Sequence, residues 1–276
     1  MKDIRDKVAA ITGAGSGIGR CLSMRFAEEG SRIAISDVNE EGLAETAEFL
    51  KARGTDFNTY RVDVSDRERV RRWAAEVERD FGGVDVIVNN AGVVVADNIE
   101  DISYEDFEWV MNINFWGVVY GTKEFLPYLR KRPWGHIVNI SSLYGMMPFP
   151  YNGPYNCSKF AVRAFNETLV QELGTGPVRV TSVHPGGIKT NLVRSMRFRK
   201  HFEENASRES LTEAFDRTAM NTPDKCAAII VRAVKKNRER LMVGMDAVLL
   251  DLVARAIPLT NLKLTHRLAG WMLVKK

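Results

Sequence analysis

Tyr155 and Lys159 stand four residues apart in YNCSKFAVRAFNETLVQEL, where Phe160, Val162, Phe165 and Leu169 recur at helical spacing. Residues i and i+4 share a helix face, so a phenol and an ammonium become neighbours there. A free phenol has a pKa of about 10, too high for an efficient proton acceptor at neutral pH. A nearby cation favours the phenolate and lowers that value. The pair suits proton transfer to or from an oxygen atom. Alone, Tyr-x-x-x-Lys is a common pattern. Its weight comes from Ser142, 13 residues upstream at the end of the strand-like GHIVNIS. A hydroxyl there can bond a substrate oxygen while that oxygen changes charge. Ser141 points to the other side of the strand.

A second constellation points to a nucleotide. ITGAGSGIGR follows the strand-like VAAIT (8–12) and opens a helix, with Gly13, Gly17 and Gly19 spaced around Ser16 and Ile18. Glycine permits positive φ and lets the backbone approach a pyrophosphate closely. The helix start adds free N–H groups and the positive end of its dipole. Asp37, 18 residues after Gly19, ends the second strand. A carboxylate there accepts the ribose hydroxyls of NAD and repels the extra phosphate of NADP. Residues 38–41 carry no positive charge, and neither Arg20 nor Arg61 has an obvious route to such a phosphate. NAD is therefore favoured over NADP.

Positioning these groups requires alternating elements. Strand-like runs at 8–12, 32–36, 58–64, 84–90, 135–141 and 178–185 alternate with helical patterns, among them 104–130, 155–173 and the stripe Val70, Trp73, Ala74, Val77, Phe81. This alternation predicts an α/β fold, a doubly wound, mostly parallel sheet of Rossmann type with helices on both faces. No repeat or linker interrupts it, so 1–276 reads as a single domain. Residues 191–222 are polar, without a strand. PDKCAAIIVRAVKK reads as a helix with Pro in its first turn, RLMVG as a last strand, and 245–276 as a C-terminal extension.

With these features together, the chain resembles the single-domain branch of the short-chain dehydrogenase/reductase family. The likeness is dense over 7–190 and loose over 222–244. It rests on Thr12-Gly13-x3-Gly17-x-Gly19, Asp63-Val64, Asn89-Asn90-Ala91-Gly92, Asn114, Ser142, Tyr155-x3-Lys159 and Pro185-Gly186 with Thr190. The resemblance implies hydride transfer between a nicotinamide cofactor and a secondary alcohol or ketone. Tyr155 is then the acid/base, Lys159 lowers its pKa, and both contact the cofactor. Ser142 orients the substrate oxygen, and Asn114 holds a water linking Lys159 to solvent. Asp63 and Val64 contact adenine, Asn90 and Ala91 lie along the ribose, and Pro185, Gly186, Ile188 and Thr190 cradle the nicotinamide. Asn114 also reads as an ordinary polar position, and Asn89-Asn90 as a strand-end turn. His184 reads as a packed residue. The competing function is a catalytically silent NAD(P)-binding regulatory or scaffold protein of the same fold, which the intact Asn114, Ser142, Tyr155 and Lys159 disfavour.

Composition narrows the remaining choices. Of 276 residues, 45% are hydrophobic and 27% charged, ordinary for a globular chain. Three scattered cysteines and four histidines show neither a disulfide framework nor metal-ligand spacing, so no metal is expected. The charged N-terminus and the lack of a long apolar run suggest a cytoplasmic protein. Between Ser142 and Tyr155 the chain is apolar; Leu143, Met146, Met147, Phe149 and Tyr151 line a pocket mouth or pack into the core with equal weight. An apolar alcohol or ketone is the expected small-molecule partner. Residues 191–222 match the family's substrate-covering segment, where Arg194, Arg197, Arg199 and Lys200 cluster, most simply as a solvated face. From Lys225 onward, 11 Lys/Arg face three acidic residues. Packing or contact within a homodimer or homotetramer is favoured for this extension; peripheral membrane contact ranks second, and nucleic acid is not expected.

Overall fold

Among the described residues the chain forms nine strands: β1 (Val8–Thr12), β2 (Arg32–Asp37), β3 (Phe57–Arg61), β4 (Val86–Asn89), β5 (Val95–Ala96), β6 (Gly135–Ile140), β7 (Val178–Pro185), β8 (Arg197–Phe198) and β9 (Arg240–Val243). Seven pair in the order β3-β2-β1-β4-β6-β7-β9, and every pairing is parallel. The chain begins mid-sheet, runs outward through β2 and β3, then returns to β4 on the other side of β1. That reversal opens a crevice at the carboxyl ends of β1 and β4, where such sheets bind ligands. The central strands are buried on both faces: all five residues of β1, all four of β4 and all six of β6. Each buried Val, Leu or Ile contributes about 1.5–3 kcal/mol through water exclusion. These coordinates are a computed structural model that describes residues 1–192, 194–198, 212, 213, 215, 217 and 219–257.

Helices cover both faces. One side holds α1 (Gly17–Glu28) and α2 (Glu40–Lys51), the other α3 (Arg67–Phe81). The predicted stripe of α3 is buried throughout, with Trp73 edge-on to Phe125 at 4.8 Å. The Asp66 side chain accepts from the Arg69 N–H to start α3, and Gly82 ends it in the left-handed region (φ 71°). The helical pattern at 104–130 is interrupted: α4 (Tyr104–Met111) passes into a π-turn at Asn112–Trp116 before α5 (Gly117–Leu129). Then come α6 (Gly153–Leu173), α7 (Pro223–Lys235) and α8 (Met245–Ala256).

Two expectations change. The third strand covers 57–61 rather than 58–64, because the chain leaves the sheet where Asp63 folds its carboxylate back onto Ser65. The segment 191–222 does contain a strand: β8 pairs with β5 in a separate two-stranded sheet, where Arg197 donates its backbone N–H to the Val94 carbonyl. Most of that segment, including Arg199 and Lys200, and the stretch 258–276 lie outside the described residues. No helix among the described residues is long and apolar enough to cross a membrane.

Candidate active site

The glycine turn is held by backbone and by close neighbours. Gly13 (φ 65°) and Gly17 (φ 52°) take left-handed backbone. A Cβ at Gly13 would lie 2.9 Å from the Ala91 Cα, and one at Gly19 would collide with the Gly13 carbonyl and the Asn90 amide. Asn90 donates from Nδ2 to the Thr12 carbonyl at 2.9 Å, and the backbone N–H groups of Asn90 and Ala91 both donate to Thr12 Oγ1. Neither Asn89 nor Asn90 adopts left-handed backbone, so the pair is a tether rather than a turn. Ser16 precedes α1 without a side-chain cap, and the first turn carries no acidic residue. That leaves the N–H groups of α1 and its dipole facing the crevice. The cradle fits a dinucleotide phosphate.

Asp37 sits at the end of β2, its Oδ2 accepting from the Gly15 N–H at 2.9 Å and its Oδ1 from the Asn39 N–H at 3.0 Å. Arg20 is spent on Glu45 (2.6 Å), the Gly15 carbonyl and Thr46, and Arg61 pairs with Glu40 at 3.0 Å. Val64 is buried, and Asp63 is exposed at the same end of the sheet. From across the crevice, Thr190 approaches Gly17, 3.5 Å from where a Cβ would stand. Pro185 ends β7, Gly186 donates to the Val243 carbonyl at 2.9 Å, and Ile188 is buried in a bridge with Asn221. Ile18, in the first turn of α1, packs instead against the buried core.

Ser142, Tyr155 and Lys159 converge at the inner end. Ser142 leaves β6 in extended backbone, its hydroxyl accepting from the Tyr144 N–H at 3.1 Å on the side of the Tyr155 phenol. Burial raises the Tyr155 pKa, and the neighbouring Ser142 hydroxyl works against that rise. The spacing argument anticipated a lowered phenol; desolvation of the anion outweighs the lowering here. Lys159 is buried, which brings its pKa down to about 8. Its Nζ donates to the Ile140 carbonyl at 3.0 Å and lies 5.5 Å from the centre of the Tyr155 ring. Ser141 points away, donating to the Lys159 carbonyl at 2.8 Å.

Asn114 occupies the π-turn, a helical irregularity common at functional sites. Its Oδ1 accepts from the Val93 N–H at 2.8 Å, and its Nδ2 donates to the Val93 carbonyl and to Ser158. The side chain thereby ties down the loop after Gly92, a contact the sequence did not signal. That loop borders Lys159: a Cβ at Gly92 would stand 3.3 Å from the Asn114 Oδ1 and 3.7 Å from the Lys159 Nζ.

His184 is packed, as expected, and its tautomer follows from its partners. The Ser142 carbonyl can only accept, so Nδ1 carries the hydrogen, at 3.3 Å. Nε2 then accepts from Ser182 (2.9 Å), Ser182 from Asn166 (2.8 Å), Asn166 from Asn139 (2.6 Å) and Asn139 from Asn89 (2.7 Å). Five bonds run one way through the core and end on Ser142. Burial keeps the imidazole neutral, pushing its pKa down to about 3.

The apolar loop after Ser142 resolves toward packing: Leu143, Met146, Met147 and Phe149 are all buried. Sequence reasoning missed Tyr144, which stacks on Phe149 at 4.6 Å and meets Tyr155 edge-on at 5.7 Å. It also missed a small apolar wall of Val94, Ala96 and Met196 packed with Leu192 and Tyr155. Only the alternation Val94, Ala96 hinted at it. Met196 stands immediately before β8, whose Arg197 pairs with Asp106 at 2.9 Å and lies 3.6 Å over the Trp109 ring.

Comparison with known proteins agrees with this fold. The family model for short chain dehydrogenase matches residues 7–200. SadH of Mycobacterium tuberculosis, named an oxidoreductase, is 42% identical over 258 residues, covering 92% of each chain. Human estradiol 17-beta-dehydrogenase 11 is 35% identical over 198 residues, 70% of this chain and 66% of that protein. Among solved structures, a short-chain dehydrogenase/reductase from Burkholderia phymatum in complex with NAD superposes with a TM-score of 0.84 at 28% identity, covering 96% of this chain and 97% of its own.

Proposed function

The chain belongs to the short-chain dehydrogenase family, and we propose that it is an NAD-dependent dehydrogenase or reductase of an apolar secondary alcohol or ketone. The observation that carries this reading is the gathering of Ser142, Tyr155 and Lys159 at the inner end of a glycine cradle, with the Lys159 Nζ 5.5 Å from the centre of the Tyr155 ring. The nicotinamide, when bound, supplies the hydride acceptor or donor and, when oxidised, a positive charge.

The protein's residues handle the proton. In the oxidative direction Tyr155 Oη accepts the alcohol proton, and in the reductive direction it donates one. The buried phenol makes a poor anion by itself, so in this reading the charges of Lys159 and of the oxidised nicotinamide together bring it into working range. With a pKa of about 8, Lys159 keeps that charge at neutral pH. Ser142 Oγ orients the substrate oxygen and stabilises its developing charge. Asn114 contributes by fixing the Gly92–Val93 loop beside Lys159.

Asp37 supports NAD over NADP, since Arg20 and Arg61 are both held by carboxylates and offer nothing to a second phosphate. The apolar wall of Val94, Ala96 and Met196 beside Tyr155 supports an apolar substrate. So does the 35% identity with an estradiol dehydrogenase. The test follows absorbance of reduced nicotinamide with a panel of secondary alcohols and ketones and both cofactors. Turnover of sterol-like or long-chain alcohols with NAD is expected. Efficient turnover of small polyols alone would defeat the substrate assignment, and no turnover of any alcohol or ketone would favour the silent scaffold.

A further inference from the structure

The junction of β9 and α8 places a carboxylate under the loop that follows β7. Asp246 lies in the first turn of α8, and its Oδ2 accepts from the Gly187 N–H at 2.6 Å. Missing side chains make the room. A Cβ at Gly186 or at Gly244 would collide with this carboxylate, and one at Gly187 would stand 3.6 Å from it. Gly244 is doubly required, because its φ of 104° lies in the range that favours glycine. The other carboxylate oxygen, Oδ1, is buried without a hydrogen-bond partner.

The remaining ties on this loop are neutral backbone bonds. Gly186 donates to the Val243 carbonyl at 2.9 Å, Lys189 to the Asn221 carbonyl at 2.9 Å, and Asn221 to the Gly187 carbonyl at 3.3 Å. A carboxylate accepting a backbone N–H is roughly twice as strong as such a neutral bond. Asp246 is therefore the strongest single restraint on the turn between Gly186 and Lys189.

We propose that Asp246 is a positioning residue that pre-orders the Pro185–Thr190 loop to receive the nicotinamide half of the cofactor, which gives the helix beyond Gly244 a role in the site. This rests on the cofactor reading above. Ordering the loop before the ligand arrives removes that cost from binding. The adenosine half lies against the glycine turn and Asp37, which Asp246 does not touch.

The test compares NAD with ADP-ribose, which lacks only the nicotinamide, by titration calorimetry on the full chain. Asp246→Ala is expected to weaken NAD about tenfold, as for loss of one charge-assisted bond, while ADP-ribose changes by less than about twofold. Asp246→Asn, whose amide oxygen still accepts from Gly187, should recover part of the loss. Gly186→Ala, which drives a methyl into the carboxylate, should reproduce the NAD-only defect. Equal losses for both ligands, or an unchanged NAD affinity, would overturn the proposal. Should Asp246→Ala fail to fold, Asp246→Asn and Gly186→Ala carry the same comparison. A wild-type chain that binds neither ligand would instead overturn the cofactor reading, and the proposal with it.

Discussion

The two walls of the crevice are built by different means. On the β1–β2 side, the turn from Gly13 to Gly19 is shaped by its own backbone and by direct atomic contact, with Asp37 braced on Gly15 and Arg20 on the Gly15 carbonyl. There is no room for a methyl at Gly19. On the β7 side, the wall is assembled from segments remote in sequence: Val94 with Met196, Asp106 with Arg197, Gly187 with Asp246. The first wall is a close-packed mould, intolerant of added atoms. The second is held by latches between distant segments, tight only where Gly186 and Gly244 make room for Asp246. A common dinucleotide suits the first, and a variable substrate the second.

Tyr155, where the walls meet, carries the largest expected effect. Tyr155→Phe should reduce turnover by about 10²–10⁴-fold, as for loss of a general acid–base group, while NAD affinity by calorimetry stays nearly unchanged. Retained turnover would remove the mechanism and leave only a binding fold. Gly19→Ala probes the mould: the collision with Gly13 should weaken NAD by about a hundredfold, the scale of a displacement near 1 Å. Wild-type affinity in that variant would mean the turn is as adjustable as the opposite wall. Asp37→Ala should move the NAD to NADP preference about tenfold toward NADP, measured as the ratio of kcat/KM values, since one charged hydrogen-bonding group is lost. Arg197→Ala tests a latch. Releasing β8 from Asp106 and Trp109 should raise KM for an apolar substrate by up to about fivefold with kcat unchanged, the scale of a partly exposed ion pair. A large fall in kcat there would erase the distinction between the walls.

Much of the mould was readable from residues in order. The strand–turn–helix around Gly13, Gly17 and Gly19, the position of Asp37 and the helical spacing of Tyr155 and Lys159 depend on chain neighbours, whose geometry follows from local backbone preference. The burial of Val70, Trp73, Ala74, Val77 and Phe81 followed from the same periodicity. What escaped notice needed a partner far along the chain. The ties of Asn114 to Val93 escaped notice because they depend on the π-turn, which propensity does not encode. Tyr144 looked like one more apolar loop residue until the loop folded inward against Tyr155. Asp246 was one of three acids in a basic tail until α8 brought it beneath Gly187.

The chain by itself thus determined its alternation of strands and helices, its glycine turn and the helical spacing of Tyr155 and Lys159, because each depends on period, backbone freedom or spacing within a few residues. Only the folded molecule decided that the Tyr155 phenol would be desolvated rather than simply assisted by Lys159. It also decided that His184 would end a directed chain of hydrogen bonds on Ser142, and that a carboxylate from the last helix would hold the far wall. Desolvation and long-range contact belong to the packed state, and no local pattern in the sequence records them.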